Sequence, residues 1–307
     1  MEIIDLNRSK IELSGTAVAL GNFDGVHIGH QQLIESNIKE AKIRKLRSAI
    51  LIFRNHTKEL LAKNNDPKIQ LLTSFEQKIE ILKNFSLDAV YIIDFDEDLM
   101  KLSPEEFITN ILLKKLKAKL VTVGFNYRFG YKAAGDSDLL KKVGLDKGIE
   151  VNVIPPVYIE GQIISSTAIR NFIKAGNIKK ANKFLGRNFT IIGSVIKGKN
   201  RGRKLGFPTA NIKLSDNYVI PKEGVYVTNT FINGKKFNSL TNIGYNPTFN
   251  EKELKIETYI LDFAGNLYGK TLEIEFLDFI RDDIKFNSVQ ELISQIEKDV
   301  KYIKTHY

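Results

Sequence analysis

The first half of the chain alternates short apolar runs with longer stretches whose apolar residues recur at helical spacing. The apolar runs predict strands at 17–20, 49–53, 89–93, 120–123 and 151–154. Helical spacing fills intervals between them, for example 74–82 and 104–116. Alternating strands and helices are typical of a parallel sheet with helices on its faces, and ligands of such sheets bind beyond the carboxyl ends of the strands.

Near residue 186 the pattern changes. Two helical stretches, 166–175 and 178–185, are followed by strand-like runs at 190–195, 225–232, 254–263 and 271–279. Asn233-Gly234 separates two of the runs and favours a hairpin turn. Successive antiparallel strands predict a small barrel or sandwich. The chain ends in a helical pattern that starts at a Ser288/Glu291 capping box.

A length of 307 residues is large for one core, so we expect two domains. The change of pattern gives an α/β domain with a parallel sheet over residues 1–185. It gives a small antiparallel barrel or sandwich with a C-terminal helix over residues 186–307.

Composition narrows the class of protein. The absence of cysteine excludes disulfides, thiolate nucleophiles and cysteine metal sites. No apolar run approaches the roughly 18 residues that a membrane-spanning helix needs. Residues 1–10 are polar and lack a secretory pattern, so we expect a cytoplasmic protein with no membrane partner.

The net charge of +10 raises the question of nucleic acid binding. The lysines are scattered along the chain, however, so we expect no nucleic-acid partner. One local cluster, Lys197, Lys199, Arg201, Arg203 and Lys204, lies in a glycine-bearing loop and is short enough to serve a small phosphorylated ligand.

A glycine-rich turn carries the first candidate site. The segment GNFDGVHIGH, from Gly21 to His30, joins a predicted strand to an amphipathic helix. Glycines allow close approach of a ligand, and the helix start favours an anion. His27 and His30 lie three residues apart on one side of the helix, where we expect them to bind the phosphates of ATP and stabilise the charge that develops during attack on the α-phosphorus. A metal site is the competing interpretation, but no third ligand stands at a recognisable spacing.

Two further segments offer polar groups to the same ligand. Ser166 and Thr167 stand at a predicted helix start, where hydroxyls cap the helix or bind phosphate oxygens, and Arg170 follows one turn later. Asn126 follows a strand-exit glycine and could read a base or a ribose. A plain helix cap and a tight turn are the structural alternatives.

A basic glycine-rich segment opens the second candidate site. Residues 198–211 read GKNRGRKLGFPTAN. Thr209 and Asn211 are two apart on an extended stretch and face the same way, and their side-chain oxygens suit Mg²⁺ bound to a nucleotide. Glu257 lies on a later strand, where a carboxylate can accept a proton from a bound hydroxyl. A solvated strand residue is the alternative for Glu257.

Together these motifs resemble the prokaryotic bifunctional riboflavin kinase/FAD synthetase (FMN adenylyltransferase) family. The first-half segments at 27–30, 126 and 165–167 resemble the adenylyltransferase part, and those at 198–211, 242–249, 257–263 and 267–269 resemble the kinase part. The resemblance covers nearly the whole chain. It implies a Rossmann-like nucleotidyltransferase domain followed by a kinase barrel.

The resemblance implies two reactions. The barrel phosphorylates riboflavin to FMN with ATP and Mg²⁺, and the first domain adenylylates FMN to FAD, releasing pyrophosphate. ATP, riboflavin and FMN are then the small-molecule substrates. Self-association is left open.

The resemblance also implies residue roles. Glu257 is the base that activates the riboflavin 5′-hydroxyl. ATP binding in the adenylyltransferase site is assigned to Gly21, Phe23, Gly29, Asn126, Ser166, Thr167 and Arg170. ATP and Mg²⁺ binding in the kinase site is assigned to Gly198, Arg203, Gly206, Pro208, Thr209 and Asn211. Flavin contacts are assigned to His56, Asn242 and Arg281.

The chain departs from the family pattern at three places. The stretch 53–57, FRNHT, keeps His56 but lacks the acidic residue and the two prolines that members commonly have. Phe125 and Tyr127 flank Asn126 where an acid and a phenylalanine are common, and Tyr259 replaces a common histidine. The altered 53–57 loop motivates one alternative, a riboflavin kinase alone; the charge motivates another, a non-enzymatic flavin or nucleic-acid binder.

Overall fold

The computed structural model describes residues 1–8, 15–54, 69–198, 202, 205–246 and 251–307. The chain forms two compact units. The first comprises Met1–Ile69 and Thr73–Ser165, and the second comprises Gln70–Leu72 and Ser166–Tyr307. The two helical stretches before residue 186 therefore belong to the second compact unit, whereas the sequence pattern sets its boundary after them.

The first unit is built on a parallel sheet. Its strands are β1 (Glu2–Asp5), β2 (Thr16–Leu20), β3 (Arg47–Phe53), β4 (Ala89–Ile93), β5 (Ala118–Gly124), β6 (Arg128–Phe129), β7 (Gly135–Asp136), β8 (Glu150–Ile154), β9 (Tyr158–Ile159) and β10 (Gln162–Ile163). Six of them form one sheet in the order β1-β4-β3-β2-β5-β8, and every pairing in it is parallel. The remaining four strands form two short antiparallel pairs, β6 with β7 and β9 with β10. The predicted parallel sheet is confirmed.

Helices cover this sheet. They are α1 (Ile28–Arg44), α2 (Phe75–Leu82), α3 (Glu97–Lys101), α4 (Pro104–Glu106) and α5 (Ser137–Asp146). The predicted helix at 104–116 is confirmed as helical, but Phe107–Lys115 forms a π-helix, in which Leu116 N donates to Ile111 O at 2.9 Å. A short 3₁₀ turn occupies Tyr131–Ala133.

The sheet is buried on both faces, which explains why its strands read as continuous apolar runs. Along β2, Val18 and Leu20 pack into one core with the π-helix, whereas Ala19 packs into the other. The second core contains apolar side chains of α1 and α2, including Ile34 and Ile79. Alternate residues of one strand thus hold helices on opposite faces.

In its described residues, the second unit is a closed antiparallel barrel accompanied by three named helices. The helices are α6 (Ser166–Lys174), α7 (Ile178–Leu185) and α8 (Val289–His306). The strands are β11 (Phe189–Ile196), β12 (Thr209–Leu214), β13 (Gly224–Ile232), β14 (Lys235–Asn246), β15 (Glu251–Ile260) and β16 (Thr271–Arg281). The barrel order is β11-β12-β15-β14-β13-β16, so the barrel is confirmed over the sandwich.

The hairpin predicted at Asn233-Gly234 is confirmed. Their φ angles of +49° and +77° are those of a two-residue turn that matches the twist of β13 and β14. The run predicted at 254–263 is instead a strand ending at Ile260, because Asp262 adopts a φ of +55° and turns the chain.

Inside the barrel, hydroxyl groups form a continuous buried chain. Thr241 Oγ1 lies 2.8 Å from Thr228 Oγ1 and 3.0 Å from Thr258 Oγ1. Ser239 Oγ lies 2.9 Å from Thr228 Oγ1 and 2.8 Å from Thr230 Oγ1. Each hydroxyl satisfies its neighbour, so the polar interior is compatible with burial.

Helix α8 packs on the outside of the barrel through Ile296, Val300 and Ile303, which contact Val225 and Leu240. The hydroxyl of Ser288 caps α8 by accepting the N–H of Glu291 at 3.1 Å. The capping box is only half correct, because the Glu291 carboxylate accepts from the backbone N–H of Asn287 rather than from that of Ser288. No helix in the described ranges combines the length and the apolar composition needed to cross a bilayer.

Candidate active sites

The first candidate site is the turn that joins β2 to α1. Phe23, Gly25 and Val26 adopt φ angles of +49°, +82° and +35°, in the left-handed region that side chains disfavour. Phe23 and Val26 are completely buried and pack in the core beside α1 and α2, which offsets the strain. Backbone strain of this kind concentrates at functional sites.

The two histidines of the turn form a stacked pair. Their ring centroids are 3.6 Å apart with an interplanar angle of 14°. His27 is the N-cap of α1, and its Nδ1 accepts the backbone N–H of His30 at 3.3 Å. A neutral His27 ring therefore carries its proton on Nε2, which makes that nitrogen the donor of the ring. His27 is only 6% exposed, whereas His30 is half-buried and lies 5.2 Å from the Phe23 ring.

Two glycines of the turn leave room for the rings of His27 and Phe23. A methyl group at Gly29 would come within 3.3 Å of the His27 ring, and one at Gly21 within 3.2 Å of the Phe23 ring. Sequence reasoning attributed the glycines to ligand approach. The rings of the turn itself already leave little room for a side chain at either position.

Thr73 holds the turn from the neighbouring helix start, a contact that sequence reasoning missed. The N–H of Gly25 donates to Thr73 Oγ1 at 3.0 Å, and Asp24 Oδ1 accepts the N–H of Thr73 at 3.2 Å. Asp24 is 2% exposed, so its carboxylate is part of the scaffold. Residues so far apart in sequence carry no local pattern that links them.

Asn126 lies at the same edge of the sheet as the histidine turn. It is exposed and follows β5, the direct neighbour of β2, so the carboxyl ends of the two parallel strands are adjacent. The turn is closed by Tyr127 N donating to Gly124 O at 3.0 Å. Burial raises the pKa of the Tyr127 phenol.

Ser166, Thr167 and Arg170 lie in the first turns of α6, within the second compact unit. Arg170 Nε donates to the backbone carbonyl of Gln70 at 2.7 Å. Leu71 then pairs with Tyr218, with Leu71 N donating to Asn217 O at 2.8 Å. Arg170 thus anchors the segment Gln70–Leu72, a contact that the predicted phosphate role did not include.

The second candidate site is a row of polar side chains across three barrel strands. In the pairing register, Asn211 of β12 is opposite Glu257 of β15, and Glu257 is opposite Asn242 of β14. All three are half-buried. Directly opposed residues have neighbouring side chains on one face of a sheet, so the strand register brings these predicted site residues together.

Thr209 extends this row. It is opposite Tyr259, whose ring meets Phe207 edge to face at a centroid distance of 5.4 Å. The residue between the two predicted ligands, Ala210, is buried on the other face of β12. The expectation that Thr209 and Asn211 face the same way agrees with this burial pattern.

Glycines of the basic segment lie against β12. A methyl group at Gly198 would come within 2.2 Å of Asn211 Nδ2, and one at Gly202 within 2.3 Å of Phe207 O. Gly206 has a φ of +88°, and Pro208 beside it is exposed. Arg203, with Lys199, Arg201 and Lys204, lies outside the described residues, as does His56.

The Glu257 carboxylate has no hydrogen-bond partner in the part of the chain that the structure describes. Over the same residues, no group of three His, Cys, Asp or Glu side chains forms a metal cage. Mg²⁺ needs no such cage, because it is often held by one or two protein oxygens together with water and phosphate. The hydroxyl of Thr209 and the amide oxygen of Asn211 fit that requirement.

Arg281, a predicted flavin contact, forms a buried ion pair. Its Nη2 lies 2.9 Å from Asp299 Oδ2, and its Nε donates to the same carboxylate at 3.0 Å. Asp299 on α8 is 3% exposed and also accepts from Gln295 at 2.8 Å. Arg281 therefore ties β16 to α8, a role that its position in the sequence did not indicate.

Comparison with known proteins covers both units. A family model described as FAD synthetase matches residues 9–168, and one described as riboflavin kinase matches residues 185–307. The chain is similar to the bifunctional riboflavin kinase/FMN adenylyltransferase of Listeria monocytogenes, with 40% identity over 92% of this chain and 89% of the relative. The enzyme of the same name from Bacillus subtilis is 36% identical over 94% and 92% of the two chains.

One solved structure resembles the whole chain. It is described as a macrolide-efflux protein from Streptococcus pneumoniae, is 32% identical, covers 100% of both chains and has a TM-score of 0.90. Macrolide efflux is said of the streptococcal protein alone, whereas the likeness to this chain concerns the fold. Since relatives above 30% identity match nearly their full length, and the two matched families are those of the two enzyme halves, the chain belongs to the bifunctional riboflavin kinase/FMN adenylyltransferase family.

Proposed function

We propose that the Asn211–Glu257–Asn242 row is the site of riboflavin phosphorylation and that the histidine turn is the site of FMN adenylylation. The chain carries both a riboflavin kinase and an FAD synthetase domain, so the two reactions are those of its family. The observation that supports the site assignment most strongly is the strand register, which brings one carboxylate and two amides together from three strands.

In the kinase site, Glu257 accepts the proton of the riboflavin 5′-hydroxyl as that oxygen attacks the γ-phosphorus of ATP, and ADP leaves. Asn211 and Asn242 flank the carboxylate and orient the hydroxyl. Thr209 and Asn211 would hold Mg²⁺, which neutralises phosphate charge when bound. The remaining phosphate contacts come from the segment that holds Gly198, Arg203, Gly206 and Pro208.

In the adenylyltransferase site, a phosphate oxygen of FMN attacks the α-phosphorus of ATP. The bond to the bridging oxygen breaks, and pyrophosphate leaves without a covalent enzyme intermediate. His27 and His30 donate hydrogen bonds to the oxygens that gain charge, an effect worth about 100- to 1,000-fold in rate per donor. ATP is positioned by Gly21, Phe23, Gly29, Asn126, Ser166, Thr167 and Arg170.

The flavin contacts of this proposal are His56, Asn242 and Arg281. Arg281 would act from a fixed position, because Asp299 holds its guanidinium. We further propose a cytoplasmic location, with small molecules and not nucleic acid as partners, and the division at 185/186 as the boundary between the two activities.

Chromatography of flavin products tests the proposal. The purified chain is incubated with riboflavin, ATP and Mg²⁺, and FMN followed by FAD is expected, with neither formed in the presence of EDTA. Unchanged riboflavin would overturn the kinase assignment. FMN supplied with ATP but giving no FAD would leave a kinase alone, the alternative that the altered 53–57 segment motivates.

A further inference from the structure

Lys78 places an ammonium group inside the first unit. It lies on α2, is 8% exposed, and precedes Ile79, which packs in the same core as Phe23 and Val26. Its Nζ donates to the backbone carbonyl of Asn22 at 3.1 Å. Lysine is almost never buried to this degree without a partner, and burying its charge costs free energy. The contacts around the ammonium group therefore bear on its role.

The charged group that acts on the Lys78 ammonium is the carboxylate of Asp24, a residue of the turn. Burial lowers the pKa of the Lys78 ammonium, and the nearby carboxylate of Asp24 opposes that shift. Asp24 is itself buried and belongs to the turn. The Lys78 ammonium and the Asp24 carboxylate are therefore both buried at the turn that leads into His27.

The helix start before Lys78 contacts the same turn. Thr73 binds Asp24 and Gly25 through two hydrogen bonds, and Lys78 binds Asn22. These contacts enclose the residues with left-handed φ angles, whose conformation is stable only when its surroundings enforce it. His27 follows immediately, so the position of its ring depends on the turn that α2 holds.

We infer that Lys78 is a positioning residue for FMN adenylylation: its ammonium holds the Asn22 carbonyl and thereby fixes the turn that sets the His27–His30 pair. The inference rests on the proposed role of the two histidines. Lys78 touches neither ATP nor FMN in this scheme. A displacement of about 1 Å at a reacting group can cost on the order of 100-fold in rate.

The test compares Lys78→Met, which removes the charge and the hydrogen bond at similar length, with Lys78→Arg and Lys83→Met. Lys83 is the exposed C-cap residue of the same helix and pairs with Glu80 at 2.5 Å, which makes it the matched control. For Lys78→Met in the full chain, we expect kcat for FAD formation to fall about 10- to 100-fold. FMN formation from riboflavin should be unchanged. Lys78→Arg should recover part of the loss, and Lys83→Met should match wild type in both reactions.

NMR of the histidine rings measures directly whether the substitution changes the surroundings of His27 and His30, which a loss of overall stability alone would not do. The chain has four histidines, so their ring resonances can be assigned one by one. Lys78→Met should shift the resonances of His27 and His30 and leave that of His306 unchanged. Wild-type kcat for FAD formation with unshifted resonances would overturn the inference, even if the unfolding temperature fell.

Two further variants keep the result decisive. If Lys78→Met does not fold, Thr73→Val removes the acceptor of the Gly25 N–H, and the inference predicts the same selective loss of FAD formation; wild-type activity would overturn it. His30→Ala separates the two proposals. If His30→Ala abolishes FAD formation while Lys78→Met retains it, only the Lys78 inference fails. If His30→Ala retains it, the proposed role of the histidines fails.

Discussion

Gly29 occupies a position in α1 where any side chain would press on the His27 ring. A methyl group there would come within 3.3 Å of Cε1 and Nδ1 of His27. Alanine is favoured over glycine by about 1 kcal/mol in a helix interior, and Gly29 lies in the first turn of α1, where the same preference acts more weakly. We therefore expect Gly29→Ala to lower kcat for FAD formation several-fold while the unfolding temperature stays equal or rises.

Steady-state kinetics and thermal unfolding of Gly29→Ala check this expectation together. Gln32→Ala, an exposed position on the same helix, is the control and should leave kcat unchanged. Wild-type kcat in Gly29→Ala would mean that the His27 ring tolerates the contact and that its placement is not critical.

The phenol of Tyr127 is expected to lower the free energy of unfolding as the pH rises above about 10. Burial raises the pKa of its phenol, so the folded chain keeps this proton where the unfolded chain, with a pKa near 10, releases it. The folded state therefore binds more protons above about pH 10, and stability falls as pH rises, by up to about 1.4 kcal/mol per pH unit. Tyr127→Phe should lose stability less steeply between pH 10 and 12.

Urea unfolding at a series of pH values measures the Tyr127 effect. Tyr158→Phe, whose tyrosine is 57% exposed, is the control and should follow the wild-type profile. Parallel profiles for Tyr127→Phe and wild type would contradict the assignment of the alkaline loss to this phenol.

The sequence predicts contacts between residues that are close along the chain better than contacts between residues that are far apart. Local patterns were enough for the Asn233-Gly234 turn, because its contacts lie within a few residues. The partner of Arg281 was not accessible in this way, since Asp299 lies on another element and only the fold brings them together. The same holds for Thr73 under the histidine turn.

At the scale of elements, the Arg281–Asp299 pair joins β16 to α8. Asp299 is 3% exposed, so its removal leaves a guanidinium that has lost its buried partner. Breaking one side of such a pair costs about 3 to 5 kcal/mol. We expect Asp299→Asn to destabilise the barrel unit by about 3 kcal/mol, measured by urea unfolding with a probe in that unit.

A control substitution at an exposed ion pair shows whether the loss of stability is specific to the buried Arg281–Asp299 pair. Asp262→Asn, at the exposed ion pair with Lys304, is the control and should change stability by less than about 1 kcal/mol. If Asp299→Asn also lowers the free energy of unfolding by less than about 1 kcal/mol, the apolar contacts of α8 alone hold that helix on the barrel.

The sequence predicts whether a segment is a helix or a strand better than it predicts where that element begins and ends. The strands of the parallel sheet were predicted because burial on both faces makes them uniformly apolar. The strand β1 was missed, because it is a short edge strand in which Glu2 and Asp5 flank two apolar residues. Barrel or sandwich could not be decided from the pattern, since both require alternating strands and only the pairing of β11 with β16 closes the ring.

At the scale of the whole chain, the two proposed sites depend on different kinds of structure. The histidine turn needs a strained backbone held by a neighbouring helix, and its residues are close in sequence. The Asn211–Glu257–Asn242 row needs the register of three strands, and its residues come from positions far apart along the chain. The row could therefore be assembled from sequence only through family resemblance, whereas the turn was evident from the residues themselves.

Because the two sites use separate residues, one substitution should abolish one activity and spare the other. Glu257→Gln keeps the size of the side chain but removes the proposed base, so we expect loss of FMN formation from riboflavin by at least about 100-fold. FAD formation from added FMN and ATP should remain at the wild-type rate, and this is measured by chromatography of the same preparation. Glu223→Gln, at an exposed position of the same unit just before β13, is the control for loss of a carboxylate and should keep both activities. Loss of both activities in Glu257→Gln would mean that the two sites are not independent.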